Sequence, residues 1–331
     1  MSTTSTARMS NPSAREVVVT GIGLALPGVA TYGDLLGPLP GEGGFDPATG
    51  LSGRELRHKD RASRLALRAA EFALRHAGLT DADATLTGVA NATAVVVSTN
   101  LGNADSICEA TDTIAREGVR GLSPLGLPQT SSNVIAGWVA IRYGLRGPNL
   151  TVCNGTTSGL DALAWARNLV VAGRAEAAVV VGVEPANEVA TRLLGEQSTD
   201  AAVAIVLESA DVAASRGARP RATIAGYARA QDVAAALTAA GVTEEKSVGL
   251  WLVDEAGAGA CQLLAATRRI DLEAQLGPLS GALGVLQCAA AAAHLESDAT
   301  TGNVLATAGG PHHDAAAALL LTPSPTCRPS T

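Results

Sequence analysis

The run Gly147-Pro148-Asn149-Leu150-Thr151-Val152-Cys153-Asn154-Gly155-Thr156-Thr157-Ser158-Gly159-Leu160 constrains this chain more than any other stretch. Leu150 to Cys153 is short, apolar and partly β-branched, which predicts a buried strand. Asn154-Gly155 breaks it, and Thr156 to Ser158 supplies small hydroxyl residues of the kind that cap a helix start. From Leu160 through Ala172 the residues are apolar almost all round, with Trp165, Leu169 and Val170 among them, predicting a helix buried on most faces. A strand, a sharp turn and a buried helix hold the turn's side chain at a helix N-terminus. Free N–H groups and the macrodipole stabilise an anion there, and would lower the pKa of a cysteine.

With 331 residues the chain makes one large α/β domain or two smaller ones. Phe, Tyr and Trp reach only 2%, so a core drawn from 47% hydrophobic residues must be built from Ala, Val, Leu and Ile. A net charge of −7 and so few aromatics for base stacking argue against a nucleic-acid partner. Cys108, Cys153, Cys261, Cys288 and Cys327 show no CxxC spacing, which fits a reducing cytoplasm better than a disulfide framework or a zinc site. The first fifteen residues are polar, without the apolar core of a signal peptide, and no apolar run is long enough to span a bilayer. The expectation is a cytoplasmic protein with no membrane partner, a disordered lead over residues 1–14 and a tail over 323–331.

In chain order, Glu16 to Gly23 predicts a strand entering a glycine turn. Leu26 stands where a dinucleotide fingerprint would want its third glycine, so a nicotinamide site is disfavoured and no cofactor is expected. Helices are predicted over 60–77, 105–116, 133–143, 233–240 and 280–295, and strands over 93–98, 177–183, 201–208, 222–227 and 248–253. Residues 303–307 and 315–321 predict a closing strand pair. Strands and helices thus alternate in two sets, about 15–211 and 212–322, which suggests two similar α/β halves packed together.

The elbow resembles that of the β-ketoacyl synthases, within the thiolase-like superfamily, where the turn carries a cysteine flanked by small residues. The resemblance runs from about Glu16 to Leu321, with gaps at 190–199 and 228–249, and implies a thiolase-like fold of layered αβαβα arrangement. Laid on the family pattern, the nucleophile's position is Thr156, and Cys153 lies three residues too early, read as an inert packing residue of the strand. The family's His-Gly-Thr-Gly-Thr aligns with Ala256-Gly257-Ala258-Gly259-Ala260, so the first imidazole is a methyl. Its lysine aligns with Glu273, and its second histidine, after a glycine, with Pro278. The final glycine loop is echoed in Ala308-Gly309-Gly310-Pro311, without its phenylalanine. Decarboxylative condensation needs a thiolate and two imidazoles, so the resemblance implies the fold without the chemistry.

Such a copy is similar to the chain-length factors of type II polyketide synthases, pseudoenzymes that form heterodimers with an active ketosynthase. Those factors meet the acyl carrier protein through their partner. The family's strand before the elbow pairs across the two-fold axis, which places Thr151 and Val152 at the interface with Gln129 and Asn133. Ala104, Ile107 and Thr111, spaced three and four apart on one helix face, fall where bulky residues close the tunnel in that class. None is aromatic, which suits an extended, reduced polyene chain; the alternative is a face packed on the chain's own core. Two rival functions stay open: an acyltransferase or esterase-like homologue using Thr156 or Cys153, and a homodimeric scaffold. His58 and His76 read as exposed helix-face residues, and His294 as a helix end. His312-His313-Asp314 reads as a solvated loop, since adjacent residues seldom converge on one metal ion.

Overall fold

The computed structural model describes residues 15–39, 46, 47, 56, 59–80, 86, 90–242, 244–254, 264–297, 302–310 and 313–324. In chain order the first half contains β1 (Val17–Ala25), α1 (Arg61–His76), β2 (Thr93–Ser98), α2 (Ala104–Glu117), α3 (Val134–Tyr143), β3 (Asn149–Val152), α4 (Ser158–Val171), β4 (Ala177–Glu184), α5 (Glu188–Leu194), β5 (Ala201–Ser209) and α6 (Ala210–Ser215). The second contains β6 (Ala222–Ala230), α7 (Val233–Ala239), β7 (Val248–Val253), β8 (Arg269–Asp271), α8 (Glu273–Leu276), α9 (Leu283–Ser297), β9 (Asn303–Gly309) and β10 (Ala316–Thr322).

The strands lie in the order β3-β2-β4-β5-β1-β6-β10-β9-β7-β8. Numbering the strands of each half one to five gives 3-2-4-5-1 twice, mirrored about the β1–β6 junction. The pairing sense repeats as well. β2 is parallel to β3 and β4 as β7 is to β8 and β9, and the remaining pairs within each half are antiparallel. Only Val18↔Thr223 and Val19↔Ala222 join the two halves in register.

Alternation along the strands sorts the core into layers, because successive side chains point to opposite faces. Val179, Val181 and Val183 of β4 pack with α1 and α3 on one side, whereas Ala178 and Val180 pack with α4 and α9 on the other. In the second half Trp251 and Val253 pack with α7, and Leu250 and Leu252 turn to the centre. The result is α1/α3, sheet, α4/α9, sheet, α7: the expected αβαβα arrangement of two similar halves. Asp60 starts α1 by accepting the Ser63 N–H at 2.6 Å, and Leu65, Leu67 and Leu74 then lie fully buried. Each such leucine contributes roughly 1.5–3 kcal/mol relative to exposure.

The central helices cross where neither has a side chain. A Cβ on Gly159 of α4 would lie 2.6 Å from the Gly284 nitrogen, and one on Gly284 of α9 would lie 2.4 Å from the Leu160 nitrogen. Around the crossing, α9 is buried from Leu283 to Leu295, with Ala at 289–293 letting both sheets approach.

Several expectations need correction. β3 is an edge strand with Asn149 exposed and only Val152 buried, because a short apolar run does not reveal whether a neighbour lies on both sides. Trp165 of α4 is 54% exposed, whereas His294 lies in the last turn of α9 as expected and is buried there. His76 is half-buried, its Nδ1 3.1 Å from the donating Ile22 N–H. α5 over Glu188–Leu194 and β8 have no counterpart in the sequence expectations.

Gly284→Ala is expected to destabilise the fold by ~2 kcal/mol or more, since a methyl there overpacks backbone against backbone. Gly137→Ala, in α3 with open space around its Cβ, should be neutral or stabilise by up to ~1 kcal/mol. Urea denaturation compares the two, and equal midpoints would remove the crossing's special status.

Candidate functional site at the elbow between β3 and α4

β3 ends at Val152, and Gly155 turns the chain at φ 72°, a left-handed conformation that favours glycine. A 3-10 turn over Gly155–Thr157 runs straight into α4. The hydroxyls do not cap the helix as expected. Thr157 donates to Asp161 Oδ2 at 2.9 Å, and Ser158 Oγ accepts the Asn154 N–H at 2.6 Å. Asp161, buried one turn along α4, also accepts from Asn154 Nδ2 at 2.8 Å and from the Tyr227 hydroxyl. Burial first, then that bond to Asp161, raise the Tyr227 pKa above its usual range. Thr156 is half-buried, and its hydroxyl makes no hydrogen bond among the described residues.

Two carboxylates hold the neighbouring loops. Glu184, at the end of β4, accepts from the N–H groups of Asn100 (2.6 Å) and Gly281 (3.0 Å) through Oε1 and of Leu101 (3.0 Å) through Oε2. Burial pushes its pKa up to about 7 against the pull of those donors. Glu273, which opens α8, accepts from Leu279 N–H at 2.6 Å and Ser280 N–H at 3.2 Å, and burial raises its pKa too. Pro278, immediately before Leu279, is half-buried. Asn100 Nδ2 donates to both Gly155 O and Ser280 Oγ at 2.9 Å, tying the 277–280 loop to the elbow. Ala256 lies outside the described residues.

The end of β9 closes the third side. Gly309 has φ 77°, and a Cβ there would sit 2.3 Å from Ala315 O and 3.1 Å from Thr157 Cγ2. His313, Asp314 and Ala315 then join residues 154–157 around a cavity of about 240 Å³. His313 is exposed, as expected of a solvated loop, yet it lines this cavity. The final glycine loop was the signal that could have placed it beside the elbow.

Residues 28–238 match the family model described as the beta-ketoacyl synthase, N-terminal domain. This chain belongs to the β-ketoacyl synthase family. It is 29% identical over 221 residues to the 3-oxoacyl-[acyl-carrier-protein] synthase 2 of Rhizobium meliloti (strain 1021), covering 58% of this chain and 51% of that protein. It is 30% identical over 265 residues to a beta-ketoacyl synthase 1 assigned to the granaticin polyketide of Streptomyces violaceoruber, covering 65% and 63%. The chain thus spans about half the length of the first curated relatives it matches. The ishigamide ketosynthase/chain length factor superposes with a TM-score of 0.72 at 24% identity, over 92% of this chain and 99% of that one. The thiolase-like ketosynthase fold accounts for the repeated strand order.

Elsewhere in this ketosynthase-like chain the expected residues fall on two sides of α2. No residue of α2 is buried. Ala104 is half-buried, while Ile107 and Thr111 are exposed, so this stripe does not pack on the chain's own core. The other face, with Asp105, Ser106, Glu109 and Thr113, borders a second cavity of about 450 Å³ that also takes in buried Gln129. Asn133 is exposed, Thr151 is half-buried and Val152 is buried. Cys153 is exposed just beyond the strand, contrary to the buried reading, with Sγ 2.9 Å from Thr99 O. Burial of its sulfur, then the Glu184 charge, raise the thiol's pKa. Among the described residues no three His, Cys, Asp or Glu side chains group as metal ligands, and no helix is long and apolar enough to cross a membrane.

Glu184→Gln turns an NH₂ toward backbone donors and is expected to cost about 1–3 kcal/mol. Because Glu184 binds its proton more tightly folded (about 7) than unfolded (4.5), it makes stability fall as pH rises through that interval. Urea midpoints from pH 4 to 8 should show this slope in the parent and a flatter one in Glu184→Gln; identical slopes would exclude the linkage.

Proposed function

We propose that this protein is a non-condensing, chain-length-determining subunit that pairs with an active ketosynthase in type II polyketide biosynthesis. The observation that carries the reading is the elbow: a hydroxyl, Thr156, at the head of α4, facing a loop that offers Pro278 and an N–H-bound Glu273. A threonine hydroxyl is barely ionised at neutral pH, and neither Pro278 nor Glu273 supplies an imidazole to polarise an extender carbonyl. Ala256 stands at the remaining aligned position.

The surface supports pairing. Val95 N–H donates to Pro148 O and Thr99 N–H to Val152 O, so alternate peptides of β3 face β2. The N–H and C=O of Thr151 therefore point outward from the sheet edge, and an unpaired edge is a template for a second strand. Trp165 on α4 and Ile107 and Ile114 on α2 remain 43–54% exposed. The family relatives named as acyl-carrier-protein synthases, and the solved ketosynthase/chain length factor, support an acyl-chain role and a ketosynthase mate. The carrier protein is reached through that mate. The Ala104–Ile107–Thr111 stripe, with no residue of its helix buried and none of the three aromatic, contributes a wall to the shared tunnel suited to a long, reduced polyene chain.

Co-expression with the active ketosynthase is expected to yield a stable one-to-one complex by size analysis. Thr151→Pro removes the outward N–H without touching the β2 ladder, and should abolish the complex while leaving the monomer folded. Thr111→Trp should shorten the polyketide made by the pair; unchanged product length would eliminate the tunnel assignment.

A further inference from the structure

The cavity over the elbow is not chemically empty. We propose that Thr156 and His313 form an acyl-transfer pair of their own, which takes an acyl group from a thioester onto the Thr156 hydroxyl and releases it slowly to water. The substrate class rests on the proposed function; the pair rests on the cavity that both residues line.

Thr156 and His313 line one cavity of about 240 Å³, which also contains Asp314. Neither the Thr156 hydroxyl nor the His313 ring makes a hydrogen bond among the described residues, so both are available to a ligand. The surrounding polar groups are already engaged: Thr157 and Asn154 with Asp161, and Ser158 with Asn100. Thr156 stands at the N-terminus of α4, fourteen residues long, where backbone donors and the macrodipole favour the oxyanion of a tetrahedral intermediate. The final glycine loop thus brings in an imidazole from a position other than those aligned with Ala256 and Pro278.

Thr156 Oγ attacks the thioester carbonyl while its proton passes to the imidazole. The C–S bond breaks, the thiol leaves with that proton, and an ester remains on Thr156. Water then loses a proton to His313 and attacks the ester; the carboxylic acid leaves and the threonine oxygen regains the proton. No oxidant or reductant takes part. Cys153 is a poor competitor, since its sulfur points to Thr99 O, it does not line the cavity, and its pKa is raised.

The test incubates the full chain with butyryl-N-acetylcysteamine and follows intact mass and peptide mapping. One butyryl group is expected on the peptide carrying Thr156, absent in the near-isosteric Thr156→Val and unchanged in Cys153→Ser. His313→Ala, at an exposed loop residue, should slow acylation at least about tenfold. No adduct on the parent, an adduct that survives in Thr156→Val or moves to Cys153, or an unchanged rate in His313→Ala would each overturn the pair. Complex formation with the ketosynthase is read separately, so a stable complex that fails to acylate leaves the proposed function standing and removes only this inference.

Discussion

The backbone contact between Gly159 and Gly284 governs the centre of this protein. It lets α4 and α9 approach without intervening side chains, and with them the two half-sheets that flank the pair. The starts of both helices are thereby brought together, so that the elbow before α4 and the 277–280 loop before α9 share one site. The dearth of aromatics follows the same constraint. Alanine at 289–293 and valine on the facing strands fill a narrow central layer that larger rings would force apart.

Around that centre, the polar side chains are spent on holding loops. Glu184 gathers three backbone N–H groups, and Asn100 bridges the elbow to Ser280. Glu273 accepts two N–H groups of the following loop and so acts as a structural brace. Buried acceptors with matched donors rigidify a site. Within the elbow cavity, the Thr156 hydroxyl and the His313 ring make no hydrogen bond among the described residues.

The outer surface is less self-sufficient. β3 terminates the sheet with an outward-facing peptide at Thr151, and α2 buries none of its residues. Nearby apolar side chains such as Ile107 and Trp165 stay partly in water. An edge strand and an unpacked helix cost stability in isolation, because neither backbone hydrogen bonds nor apolar area are fully used. A second subunit that extends the sheet and covers α2 would relieve both at once.

Most element boundaries were legible in the chain because they depend on local chemistry. β-branched runs identified β2, β4, β5 and β7, and the arginine-studded alternation of leucine and alanine identified α1. The elbow's strand, glycine turn and following helix were equally readable, since they follow from local composition and spacing. Tertiary structure alone decided what lies beside what. β8 is three half-buried residues with no pattern to detect, and it exists as a strand because β7 lies alongside. Cys153 and β3 are apolar by composition yet face the sheet's edge, and His313 reaches the elbow only because Gly309 lets β9 close against Thr157. Secondary structure follows from each residue's own neighbours in the chain, whereas exposure, pairing and the meeting of site residues depend on elements brought together from separate parts of the chain.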